Sequence, residues 1–346
     1  MKNREGYMHR KAKSAVAGLA AAALVMGASI TGALAASVYE GKDVTLIVPN
    51  SPAGLMSQYA HMLAPHIAEN LGARNVRVVN HQGGGGLKGS NILWEAKPDG
   101  MTFALTNVPT LLVAQLAESP GVRFNATDFT YLGRLQADAR LMFTGKPSGL
   151  KTIEDVRKLD RPFVFASQGT DEDFYTMVVL ADALGYDLKI VTGYEGDADT
   201  SLAVIRGDAD GHMTTWTQSA PAVEAGDKNA VLTTTFERFD GAPDVPTALE
   251  LIEDPALKAK MEAISSILVL GRGFFGPPDM DPEAAKELRA AIEKTLTDPA
   301  TLQEMKEKGL PVGYNSAEAQ KENVDRVFAA GKDLTPMFKD AVSKIQ

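Results

Sequence analysis

The spacing of apolar and polar positions changes period repeatedly along the chain. "VTLIVP" (Val44–Pro49) is an apolar, β-branched run. After a small-residue break, the apolar positions recur at helical spacing to about Leu71. "VRVVN" predicts a second strand, the glycines at 83–86 a turn, the segment through Trp94 a helix, and "MTFALTN" a third strand. A second set follows Gly145-Lys146-Pro147: a helix at "TIEDVRKL", the strand "FVFAS", the loop "QGTDED", the helix "FYTMVVLADALG" and the strand "LKIVTG". Short strands alternating with helices predict parallel sheets. The stretch "ISSILVLGRGFFGPP" reads as the return to the first set, followed by amphipathic helices at Pro282–Leu296, at Pro299–Lys308 and at the end of the chain. The pattern therefore predicts an α/β protein of two lobes with a crossover, residues 36–143 with 268–346 forming lobe 1 and 144–267 lobe 2.

The first 35 residues break this rhythm. Lys2, Arg4, Arg10, Lys11 and Lys13 precede an alanine-rich apolar run from Ala15 to Ile30 and then Ala33-Leu34-Ala35, the three regions of a secretory signal peptide cut after Ala35. The apolar run is shorter than the roughly 20 residues of a spanning helix. The chain is therefore expected to be exported. Removing this segment takes away five basic residues and one acidic one, so the net charge moves from −9 to −13. An acidic chain with scattered charge does not suit nucleic acid. With no cysteine there is neither a disulfide framework nor a thiolate nucleophile, and stability must come from the apolar core.

The candidate chemistry lies in the loops. In an open α/β sheet, ligands collect where strand ends meet helix N-termini, and unpaired N–H groups there favour anions. Ala53-Gly54, the four glycines at 83–86, and Ser167-Gln168-Gly169-Thr170 are three such places, split between the lobes. Gly84-Gly85-Gly86-Leu87-Lys88-Gly89 fits G-x-G-x-x-G, but no Asp or Glu stands between Gly100 and Ala117 to hold a ribose, and no Gly-Lys-Ser/Thr follows for a P-loop. Ser167, in "FASQG", lacks the first glycine of a nucleophile elbow and reads as a hydrogen-bonding group. His61 and His66 are five apart with Pro65 between them, unlike a metal-binding i, i+4 pair. "GDADGH" (207–212) has too few alternating acids for a calcium loop. No cofactor and no metal are called for.

Six motifs in chain order then carry a resemblance to one family, the periplasmic solute-binding proteins of tripartite tricarboxylate transporters, or Bug-type receptors. These are "IVPNSPAGLMS" (Ile47–Ser57), "NHQGGGGLKG" (Asn80–Gly89), Pro98-Asp99-Gly100-Met101-Thr102, "FASQG" (Phe165–Gly169), Tyr194-Glu195-Gly196, and Ala242-Pro243-Asp244-Val245-Pro246-Thr247. The resemblance implies a two-lobed type II periplasmic-binding fold with a ligand cleft between the lobes. It further implies the periplasm as the location, and capture there of a small organic acid, or an amine-bearing carboxylate, for delivery to membrane permease subunits by a monomeric, non-enzymatic receptor. The alternatives are a ligand sensor feeding a signalling partner and an exported hydrolase.

The ligand-binding positions expected on that basis are Ser51, Pro52, Ala53, Gly54, Leu55, Met56 and Ser57 in the first loop, Gly84 and Gly85 in the glycine turn, and Thr106 and Asn107 after the third strand. In the second lobe they are Ser167, Gln168, Gly169, Thr170, Asp171, Tyr194, Glu195, Gly196, Thr214 and Thr215. The sequence departs from the family by placing Ser57 where an Asp is common, by carrying Asp171-Glu172-Asp173 in the second loop and by following Tyr194 with Glu195, Asp197 and Asp199. The acids at 171–173 read either as ordinary first-turn caps or, with Glu195, as an acidic face that would receive an amine and repel a second carboxylate. A hinge is expected near Phe143–Lys146 and Ser265–Leu270.

Overall fold

The computed structural model describes residues 37–343; the expected signal peptide lies outside the described residues. Two five-stranded mixed sheets organise the chain. The elements of the first half are β1 (Asp43–Val48), α1 (Leu55–Leu71), β2 (Asn75–Asn80), α2 (Leu87–Trp94), β3 (Thr102–Asn107), α3 (Val108–Leu116) and β4 (Thr130–Gln136). The middle supplies β5 (Arg140–Gly145), α4 (Ile153–Arg157), β6 (Phe163–Ala166), α5 (Glu172–Leu184), β7 (Leu188–Val191), α6 (Asp197–Arg206), β8 (Gly211–Thr215), α7 (Trp216–Glu224), β9 (Lys228–Thr233), α8 (Ala248–Leu251) and α9 (Pro255–Leu268). The chain ends with β10 (Arg272–Gly276), α10 (Pro282–Thr297), α11 (Pro299–Glu307), α12 (Ala317–Gly331) and α13 (Thr335–Ser343).

The sheets run β2-β1-β3-β10-β4 and β7-β6-β8-β5-β9. In each, the first three strands are parallel and the fourth is antiparallel to both its neighbours. That fourth strand is in each case the one that follows a crossover: β5 enters the second sheet, β10 the first. The two sheets are therefore topologically equivalent, with β1, β2, β3, β10 and β4 matching β6, β7, β8, β5 and β9.

Local sequence explains the element ends. Helix α1 stops at Gly72, whose φ of 68° only glycine adopts freely and whose N–H caps the carbonyls of Ala68 and Glu69. Thr152 and Asp155 form a capping box on α4, and Asp254 and Asp281 cap α9 and α10 ahead of Pro255 and Pro282. Pro65 does not interrupt α1, which is 17 residues long and runs through it to Leu71.

The return segment divides. Its first part is the end of α9, with Met261, Ile264, Ile267 and Leu268 buried at helical spacing, and only Arg272–Gly276 is strand. Both expected hinge segments thus fall partly inside regular elements, Phe143–Gly145 in β5 and Ser265–Leu268 in α9, and the irregular crossovers are residues 137–139 and 269–271. Residues 140–143, grouped with lobe 1 by the sequence pattern, pair within the second sheet. Helices α3, α5, α9, α12 and α13 share one apolar core, where Tyr175 stacks 4.7 Å from Phe338. Among the described residues, no helix is long and apolar enough to cross a membrane.

Candidate functional site

Loops that follow β1, β2, β6 and β7 line a cleft between the lobes. Its larger cavity, about 320 Å³, is walled by Pro49, Asn50 and Gln82–Gly86 from one lobe and by Gln168 and Gly193–Glu195 from the other. A smaller one of about 20 Å³ is lined by Asn50, Ser51, Gly54–Met56, Asn107, Gln168, Gly196, Asp197 and Arg272. Asn50 and Gln168 border both. Gly85, at φ 63°, comes so close to the second lobe that a Cβ there would stand 3.3 Å from the Asp171 Cβ.

Two arginines lie behind these loops. Arg140, 7% exposed, opens β5. Its Nε donates to Asp173 Oδ1 at 2.7 Å, its Nη2 pairs with Asp173 Oδ2, and its Nη1 lies 2.9 Å from Glu172 Oε1. Burial works against this guanidinium, but Asp173 and Glu172 outweigh it and hold the charge more firmly than in water. Glu172 also crosses the cleft, accepting from Asn107 Nδ2 at 3.0 Å and from Thr110 Oγ1. Gln82 Nε2, donating to Glu195 Oε2 at 3.2 Å, is a second clasp.

Arg272, 5% exposed, opens β10. Its Nη2 has one long contact, 3.5 Å to Thr215 Oγ1, its Nε has no partner, and the Tyr59 ring centroid is 5.9 Å from its central carbon. It forms no ion pair among the described residues. Burial lowers its proton affinity; Asp138 and Asp197 act in the opposite sense from a distance. Asp197, the first residue of α6 and half-buried, accepts from Gln168 Nε2 at 2.7 Å. Burial raises its carboxyl above the ordinary range, Arg140 opposes the rise and Glu172 adds to it.

Of the expected positions, Ser51, Gly54, Leu55, Met56, Asn107, Gln168 and Gly196 meet at the small cavity and Gly84, Gly85, Tyr194 and Glu195 at the larger one. Pro52 and Ala53 are exposed on the outer turn of the first loop. Ser57 is buried and accepts from Asn80 Nδ2 at 2.6 Å. Ser167 Oγ donates to Gly169 O at 2.8 Å, bracing its own loop, and Gly169 packs against Gly85. Thr170 is half-buried; Thr106, Thr214 and Thr215 are buried at strand ends.

The acids do not form one face. Asp171 caps α5, accepting from the Phe174 N–H at 3.0 Å, and burial, with repulsion from Asp173 and Glu172, pushes its carboxyl well above the usual range. Asp173 is neutralised by Arg140, and Glu195 is exposed. First-turn acids are drawn to free N–H groups, and buried ones need a countercharge. The sequence reading missed Arg140 and Arg272 and noted Asp197 without counting it among the binding positions. A signal existed: "RLMFTG" and "RGFFG" each place an arginine at the head of an otherwise uncharged strand.

Comparison with known proteins matches residues 59–330 to the family described as tripartite tricarboxylate transporter family receptor, TctC. A UPF0065 protein from the tcbD–tcbE intergenic region of Pseudomonas sp. (strain P51) is 23% identical over 305 residues, 87% of each chain. The solved periplasmic binding protein BugD superposes with a TM-score of 0.72 at 22% identity, covering 88% of this chain and 98% of that one. MatC of Rhodopseudomonas palustris, solved with bound malate, gives 0.68 at 21% identity, covering 84% and 99%.

Proposed function

The chain belongs to the tripartite tricarboxylate transporter receptor family, a family of solute-binding receptors, and on that premise we propose that it is an exported, periplasmic member that captures a small carboxylate-bearing solute and hands it to membrane permease subunits. The carrying observation is the cavity of about 320 Å³ walled by loops of both lobes, with the glycine turn of one and the Gln168 and Tyr194–Glu195 loops of the other. Such a cavity has walls on both sides only while the lobes meet, so a solute held there shifts the population toward the closed arrangement. Malate bound to MatC, which shares the fold, supports a carboxylate as cargo. The family is one of solute-binding receptors, which supports binding of the solute without turnover.

A thermal-shift screen over mono-, di- and tricarboxylates, amino acids and aromatic acids tests the reading. A ligand at one hundred times its dissociation constant adds about 2.7 kcal/mol to stability. A screen in which every carboxylate leaves the melting curve unmoved refutes carboxylate capture. Consumption of the bound solute in a catalytic excess refutes the receptor role.

A further inference from the structure

The equivalence of the two sheets supplies an internal control. Arg140 and Arg272 are the first residues of β5 and β10, the matching antiparallel strands. In the second sheet the helix that follows β6 is α5, whose first turn provides Glu172 and Asp173 to Arg140. The matching helix in the first sheet is α1, after β1, and its first turn is Leu55-Met56-Ser57, with no acid. Arg272 is therefore left without the carboxylates that its counterpart has. Its Nη2 carries only the 3.5 Å contact to Thr215, and its Nε is buried with no partner. A buried guanidinium without a counterion is unfavourable by several kcal/mol.

We propose that Arg272 pairs with one carboxylate of the solute where it lines the smaller cavity and that Asp197 receives a hydrogen-bond donor on the adjacent carbon, so that the cargo is an α-hydroxy or α-amino carboxylic acid. The assignment deepens the receptor reading and rests on it. Arg272 and Asp197 both line the smaller cavity, which shares Asn50 and Gln168 with the larger one, so the two groups they hold sit close together at one end of the solute. The rest of the solute extends past Asn50 and Gln168 into the larger cavity. The walls there are glycine backbone and polar side chains such as Gln82, which suits a short polar tail.

Isothermal titration of the full mature chain with malate, aspartate and succinate tests this, succinate lacking the α-donor. Malate or aspartate binds the parent at least about tenfold tighter than succinate, the worth of one hydrogen bond to a charged group. Arg272→Gln weakens the better ligand by about a hundredfold or more, and Asp197→Asn narrows its advantage over succinate. Should Arg272→Gln fail to fold, judged by circular dichroism, the parent still decides. The diamide of the better acid must bind about a hundredfold weaker, since it offers the guanidinium no charge. If Arg272→Gln binds as tightly as the parent, or the diamide matches the acid, the Arg272 assignment falls while the receptor reading stands. If succinate equals both other acids, the Asp197 assignment falls alone; if no carboxylate binds the parent, both the assignment and the receptor reading fall.

Discussion

Replacing Arg140 by Met removes the only countercharge within ion-pair distance of Glu172 and Asp173 among the described residues, while keeping most of the side-chain volume. Breaking a buried pair from one side costs about 3–5 kcal/mol because a charge is left uncompensated. The stranded carboxylates can escape by taking up protons, and that route sets a ceiling. Holding a carboxyl of ordinary pKa protonated at about pH 7 costs about 4 kcal/mol, but only about 1 kcal/mol at about pH 4.5. The expected loss is therefore about 3–5 kcal/mol at neutral pH, a fall in Tm of about 5–8 °C for a chain of this size, shrinking to about a third on acidification. Urea unfolding followed by circular dichroism at both pH values measures it. Adding Glu172→Gln and Asp173→Asn to Arg140→Met should recover most of the neutral-pH loss. A penalty under about 1 kcal/mol, or one that ignores pH, would mean that water already screens this cluster and that its burial has been misjudged.

Glu172→Gln weakens the clasp to Asn107 and Thr110 and the pairing with Arg140, so small-angle scattering of the ligand-free variant should give a larger radius of gyration than the parent; an unchanged radius removes Glu172 from lobe closure. The Asp171 carboxyl is raised above its ordinary value of 3.8 by burial and by Asp173 and Glu172. Its contribution is therefore complete below pH 3.8 and is lost as pH rises through its elevated value, so Asp171→Asn should flatten the decline in stability above pH 3.8. Lys228, buried with Nζ 3.0 Å from His212 Nε2 and 2.9 Å from Ser219 Oγ, is pushed down to about 8 by burial, against the pull of Asp197. Unfolding frees it to titrate at 10.5, so stability should climb from about pH 8 to 10.5, and Lys228→Met should abolish that climb in denaturant titrations.

Much of the fold can be read from period alone, because the parallel strands β1, β3 and β6 are largely buried apolar runs and carry their own signal. The return segment could not be read that way. "ISSILVL" is apolar throughout, and a short apolar run is equally a buried strand or a buried helix. What decides is upstream, where Asp254 and Pro255 start a helix that packs Ile264, Ile267 and Leu268 into the shared core. The position of β5 was hidden for a different reason. "RLMFTG" looks like the end of the first lobe until its partners β8 and β9, some 70 to 90 residues later, are known.

The site was legible where it is made of backbone and illegible where it is made of charge. Glycine turns and small loops announce themselves, since only such residues let the lobes approach as Gly85 approaches Asp171. Whether an acid or an arginine is free to bind something depends on what stands across from it, and that is a property of the sheet order. Asp173 looks available in "GTDED" and is occupied; Arg272 looks structural in "GRGFFG" and has no carboxylate partner among the described residues. The difference appears only once β5 and β10 are seen as the same strand of two matching sheets, for then the acids at the start of α5 and the uncharged first turn of α1 become alternative answers to one buried guanidinium. One lobe supplies that answer from its own chain. The other leaves the place for the solute, and the charge that selects the cargo is therefore set by the residues that α1 lacks.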